Sequence, residues 1–145
     1  MVSLLDVNLL VALAWTNHVH HKAALAWFLR NQTLGWATCP LTQSGFVRVS
    51  SNPKAMPDAR SPQVAIGLLK RIVSLPNHQF WHDDVSLADS NQLALSRLTG
   101  YRQVTDAHLV TLALNRGGRL ATLDRRVQSL VPPASAEAVC LVLPD

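Results

Sequence analysis

Two short, predominantly apolar runs in this chain, Val2 to Leu5 and Arg119 to Leu123, each end on an aspartate, Asp6 and Asp124. A run of that length and composition reads as a strand buried on both faces of a sheet. Beyond Asp6 a second apolar series, Val7 to Leu13, has the length and pattern of a helix. A carboxylate therefore stands where a buried strand hands over to a helix, the edge at which open α/β sheets bind ligands. Aspartate is also among the best helix N-caps, and for Asp6 taken alone both readings stay open.

The same alternation runs through the chain. Lys22 to Arg30 carries apolar residues at Ala23, Ala24, Trp27 and Phe28, one buried helical face. Gly35 stops it, Trp36-Ala37-Thr38-Cys39 reads as a second strand, and Pro40 opens a helix at its favoured N-terminal position. Residues 52–62 hold three prolines without periodicity and read as a loop, the most mobile stretch expected. Ser61-Pro62 starts a helix with Val64, Leu68, Ile72 and Leu75 down one side, and Gln79-Phe80-Trp81 is a third strand. Asp83-Asp84 then precede an expected helix over roughly 85–98, ended by Gly100. Thr105-Asp106 begins a helix to Asn115, and a strand at 119–123 leads into a short helix reaching Leu130. A final strand is expected at 139–143. Strands alternating with helices predict right-handed crossovers and a mainly parallel sheet covered on both sides.

At 145 residues the chain suits one domain spanning 1–145, and 48% hydrophobic against 15% charged residues places it among globular rather than disordered chains. A formal charge of +4, spread with no cluster longer than Lys70-Arg71 or Arg125-Arg126, gives a diffusely positive surface suited to a polyanion. Cys39 and Cys140 lie far apart in apolar contexts and read as reduced core residues; no spacing suggests zinc. No run is long enough to span a membrane, and the N-terminus lacks the features of a signal peptide, so a cytoplasmic protein is expected.

With only nine acidic residues, placement is informative. Asp6 and Asp124 close strands and Asp106 opens a helix, so a parallel sheet carries all three to one edge. Carboxylates that close repel unless a cation neutralises them, and hard oxygen ligands of this kind suit Mg²⁺ or Mn²⁺. Such an ion can activate water for attack on a phosphodiester. The competing reading makes all three aspartates helix caps.

Four segments together resemble the motifs of PIN-domain proteins, in particular VapC-like ribonuclease toxins. They are Leu-Leu-Asp6-Val-Asn8, the segment from Pro40 through Gln43 to Val49, Val104-Thr-Asp106-Ala-His-Leu, and the stretch from Gly117 through Thr122 and Asp124 to Arg125. The resemblance covers nearly the whole chain in order. It implies a three-layer α/β/α PIN-like domain and a Mg²⁺- or Mn²⁺-dependent endoribonuclease. It also implies an RNA substrate, a cognate antitoxin partner and a homodimer. Asp6 and Asp106 fall on the principal metal ligands, Asp124 on a further acid with Thr122 beside it, and Asn8 on a polar residue near the site. Gln43 departs, standing where the family usually carries glutamate. Glu137 is the only glutamate in the chain, so no local acid substitutes. Gln43 can orient a water but brings no charge, which keeps open a catalytically weakened RNA- or antitoxin-binding module.

Arg48, Arg125 and Arg126 are candidates to guide RNA phosphates. His18, His20 and His21 read as solvent-facing or capping groups rather than a metal cluster. Asp83 and Asp84 read as caps, Asp89 as solvent-facing, and the four tryptophans as core and interface residues. A phosphoacceptor receiver is excluded because the only lysines are Lys22, Lys54 and Lys70. A haloacid-dehalogenase-like phosphatase is excluded because Asn8 stands where the second aspartate belongs.

Overall fold

The computed structural model describes residues 1–88 and 93–143. Five strands form one sheet: β1 (Ser3–Leu5), β2 (Trp36–Thr38), β3 (His78–Phe80), β4 (Arg119–Thr122) and β5 (Val139–Leu141), in the order β3-β2-β1-β4-β5. All four pairings are parallel, with Leu4 opposite Ala37 on one side and Leu120 on the other. Among the described residues five α-helices flank it: α1 (Val7–Ala14), α2 (His21–Asn31), α3 (Pro40–Ser50), α4 (Pro62–Val73) and α5 (Val104–Asn115).

The pleat of β1 divides the core. Leu4 joins Leu120, Leu109 and Leu112 on the α5 side, whereas Leu5 joins Leu9, Phe28, Phe46, Leu69 and Ala121 on the side of α1–α4. This is the three-layer α/β/α arrangement. The chain order runs outward from β1 through β2 to β3, then returns to place β4 on the other flank of β1. The reversal point lies between β1 and β4, where open α/β sheets form their ligand crevice.

Close backbone approaches set the packing. A Cβ on Gly45 would lie 2.5 Å from Val7 Cγ2, so α3 can cross α1 beside Asp6 only because that side chain is missing. Trp27, Trp36 and Trp81 are buried, and Trp15 donates through Nε1 to Ser50 Oγ, in keeping with core and packing roles. Cys39 is buried and Cys140 half-buried, both with free thiols.

Several expectations need correction. No α-helix forms at 83–88; among the described residues this region holds only a 3-10 turn at Leu95–Arg97, and Asp89 lies outside them. Asp83 and Asp84 cap no helix. Asp83 accepts from Val85 N and meets His108 Nε2 at 2.7 Å, and Asp84 lies 3.6 Å from Arg116, so both tie this loop to α5. The buried face of α4 is Ala65, Leu69 and Ile72, while Val64 and Leu75 are exposed. The loop at 52–61 is irregular but held: Met56 is buried, and Arg60 N bonds the Ser50 carbonyl. The segment after Asp124 is a 3-10 helix, Arg125–Leu130, and the last strand stops at Leu141.

Candidate active site

Asp6 is 6% exposed at the C-terminal end of β1. It caps α1: its Oδ1 accepts from Val7 N at 2.8 Å. Its other oxygen accepts the Thr122 hydroxyl at 2.7 Å, across the gap between β1 and β4. Thr122 Oγ1 in turn accepts from Asp124 N at 3.1 Å and Asn8 Nδ2 at 3.2 Å, so its single proton is committed to Asp6. Asn8 Oδ1 accepts from Leu123 N at 3.1 Å. Asn8 and Thr122 thus lock the Asp6 carboxylate in place. Burial raises the Asp6 pKa, against the opposing hydrogen bonds from Thr122 and Val7.

Asp106 sits in the first turn of α5 but is not a cap, because the helix begins at Val104 and makes no side-chain cap bond. Asp106 and Asp6 line one cleft of about 450 Å³, together with Asn8, Arg48, His18 and Met56. Burial first, then the negative charges of Asp6 and Asp124, push the Asp106 carboxyl up to about 6. A helix N-terminus favours an anion, and here repulsion and desolvation outweigh that. The capping reading therefore holds for Asp6 and Asp124 and fails for Asp106.

Asp124 is engaged elsewhere. Its Oδ1 accepts from Arg126 N at 2.9 Å and Nε at 3.0 Å, and its Oδ2 accepts from Nη2 at 2.9 Å, a two-pronged pairing. The Arg126 guanidinium holds the Asp124 carboxyl below its usual range. Among the described residues no three Asp, Glu, His or Cys side chains gather closely enough to hold one ion. The expected compact trio is thus a pair facing one cleft, with the third acid neutralised by an arginine. Two buried or half-buried carboxylates that disfavour each other's charge still fit a hard divalent cation. Mg²⁺ is commonly held by one or two carboxylates and completes its shell with water and substrate oxygens.

Gln43 Nε2 donates to Thr38 Oγ1 at 3.0 Å, and Thr38 Oγ1 lies 2.8 Å from His78 Nε2, which turns the amide toward the end of β2. It is absent from the residues lining the cleft. A Gln43→Glu variant is expected to bind Mn²⁺ more tightly by calorimetry, and unchanged affinity would show that Gln43 does not belong to the site. Arg125 is exposed and outside the cleft lining, and Arg126 is committed to Asp124; Arg48 is the arginine that lines the cleft. His18, expected to face solvent or cap a helix, also enters this cavity. Little in the sequence points it there, because a histidine on an irregular turn has no periodicity to aim it.

A sequence model of the PIN domain matches residues 3–131. The chain belongs to the PIN-domain family. This PIN domain is 54% identical over 129 residues to ribonuclease VapC38 of Mycobacterium tuberculosis, covering 89% of both chains. It is 46% identical over 139 residues to ribonuclease VapC39 of the same organism, covering 96% of this chain and 98% of that one. Among solved structures it is similar to VapBC2 from Rickettsia felis bound to a DNA fragment from their promoter, with a TM-score of 0.61, 13% identity and full coverage of both chains. PAE2754 from Pyrobaculum aerophilum aligns with a TM-score of 0.59 and 22% identity over 96% of this PIN domain and 83% of that chain. These two likenesses establish the fold.

Proposed function

We propose that residues 1–145 form a single-domain endoribonuclease dependent on Mg²⁺ or Mn²⁺, the toxin of a toxin–antitoxin pair. The observation that carries this is the convergence of Asp6 and Asp106 on one cleft at the reversal point of the sheet. The naming of relatives such as VapC38 as ribonucleases supports it. When bound, a divalent ion supplies a Lewis acid for a phosphoryl oxygen and lowers the pKa of water. Asp6 and Asp106 are the proposed ligands, with Asp124 a third once Arg126 releases it. Thr122 and Asn8 orient Asp6, Gln43 orients water at the margin, and Arg48 and Arg125 draw the RNA backbone through charge.

An antitoxin partner is supported by the VapBC2 likeness. A homodimer and a cytoplasmic location are part of the same proposal. No helix among the described residues is long and apolar enough to cross a membrane.

The test is cleavage of labelled single-stranded RNA by the purified chain. Cleavage is expected with Mn²⁺, to stop with a chelator, and to fall about 10³-fold in Asp6→Asn, the loss of several kcal/mol of charge stabilisation. The Gln43–Thr38 bond and the Arg126–Asp124 pairing favour one second reading, a weakened PIN module that binds RNA or its partner without cutting. Retained RNA binding with no metal-dependent cleavage selects that reading.

A further inference from the structure

The turn before α2 and the first residue of that helix carry three histidines, His18, His20 and His21, that the proposed reaction leaves without a role, and each has its own surroundings. His21 Nδ1 lies 2.9 Å from the Ala12 carbonyl, an otherwise orphaned acceptor near the end of α1, and ties the start of α2 to that helix. His20 occupies the N-cap position of α2, and its backbone N–H donates to His18 Nδ1 at 3.0 Å. A ring nitrogen that accepts carries no proton, so the neutral His18 ring carries its proton on Nε2. Burial, with the neighbouring His20 and His21, lowers the His18 pKa and favours that neutral form.

His18 lines the cleft with Arg48, Asp6 and Asp106. Asn17 donates to Asp58, so the turn is linked to the 52–61 loop that supplies Ala55 and Met56 to the same cleft. The eight residues of α1 separate Asp6 from this turn, a rise of about 12 Å. His18 thus enters the cleft from beyond the far end of α1, alongside substrate that extends past Asp6. Arg48 offers only donors, and the one acceptor of the His18 ring is already used. A ligand between them must therefore be rich in acceptors and anionic.

We propose that His18 Nε2–H and Arg48 together bind the phosphate of a nucleotide flanking the scissile bond, making His18 a substrate-positioning residue. This rests on the reading of the cleft as an RNA-cutting site. His18 contributes as a neutral donor and Arg48 as a charge, and that difference is measurable.

The experiment is fluorescence anisotropy of fluorescein-labelled single-stranded RNA with the full chain carrying Asp6→Asn, which keeps the RNA intact, across a salt series. Adding His18→Ala is expected to weaken binding about tenfold, as for a hydrogen bond to a charged group. His18→Gln, which retains an N–H donor, is expected to restore most of it. Arg48→Gln is expected to weaken binding and to reduce the slope of log K against log[salt] by about 0.7, one phosphate contact on a single strand; His18→Ala leaves that slope unchanged. Unaltered affinity in His18→Ala, with Arg48→Gln still defective, overturns the His18 assignment alone. A slope reduced by His18→Ala overturns the neutral-donor role. Failure of the parent Asp6→Asn protein to bind RNA overturns both this inference and the functional reading beneath it. A second measurement is independent of His18 variants: the ¹⁵N signals of the His18 ring should show Nε2 protonated, with that signal moving on addition of RNA. A stationary signal overturns the contact.

Discussion

Replacing Asp106 by asparagine is expected to leave the metal-free protein more stable and the RNA uncut. The Asp106 carboxyl is pushed from 3.8 to about 6 by burial and by Asp6 and Asp124, so ionising it opposes folding. Between these two values the folded state binds more protons than the unfolded one, and stability falls as pH rises through that window. Above it the loss is complete; below about pH 4 it vanishes. A shift of that size corresponds to about 3 kcal/mol at full strength, and partial exposure reduces it to on the order of 1–2 kcal/mol. Asparagine carries no charge, so Asp106→Asn should gain that amount near neutral pH and nothing near pH 4. Urea unfolding in chelator across this range measures it; parallel pH profiles for the two proteins would defeat the argument. Added Mn²⁺ should raise the stability of the unsubstituted protein and erase the advantage of the variant, since a ligand that binds only the folded state stabilises it. Cleavage should drop about 10³-fold, because the stabilised charge is lost with the carboxylate. Stability and activity are then expected to move in opposite directions at one residue, as for the metal ligand proposed at this position.

Gly118→Ala is expected to be among the most damaging single-methyl changes in the chain. A Cβ there would meet the Val2 carbonyl oxygen at 2.6 Å and Trp81 Cη2 at 2.7 Å. Trp81 is buried and the Val2 carbonyl accepts from Arg119 N at 3.0 Å, so neither neighbour gives way cheaply. Overpacking of this kind costs about 3 kcal/mol. Gly67, inside α4, is the matched control: a methyl added there would find nothing within 4 Å, and Gly67→Ala should gain about 0.5–1 kcal/mol through helix propensity. Opposite shifts in the urea midpoint of the two variants are the expected result; a tolerated Gly118→Ala would mean that β1 and Trp81 do not approach the turn so closely.

The parts of the fold legible in the sequence were those with local periodicity or punctuation. Buried strands at 2–5 and 119–123, the Pro40 and Ser61-Pro62 helix starts, and the two-sided core all follow from patterns within a few residues. The 83–98 region misled because Asp83-Asp84 look like caps, whereas their partners, His108 and Arg116, are distant in sequence and visible only in three dimensions. The same distinction governs the site. Asp6 and Asp106 could be placed on one edge from topology alone. That Arg126 would claim Asp124, that Thr38 would hold the Gln43 amide, and that His18 would enter the cleft depended on side-chain directions that no spacing encodes.

The position of β1 between β2 and β4 bears on how this protein is made. One edge pairs with β2, Ser3 opposite Trp36, but its other edge waits for residues 119–121, more than a hundred positions later. A nascent chain that has emerged only through α4 has Asp6 but neither Asp106 nor the Thr122 hydroxyl that fixes it. Long-range pairing of this kind forms late, so the cleft is completed only once residues through Thr122 have left the ribosome. Until then the cleavage proposed for this cleft has no assembled site.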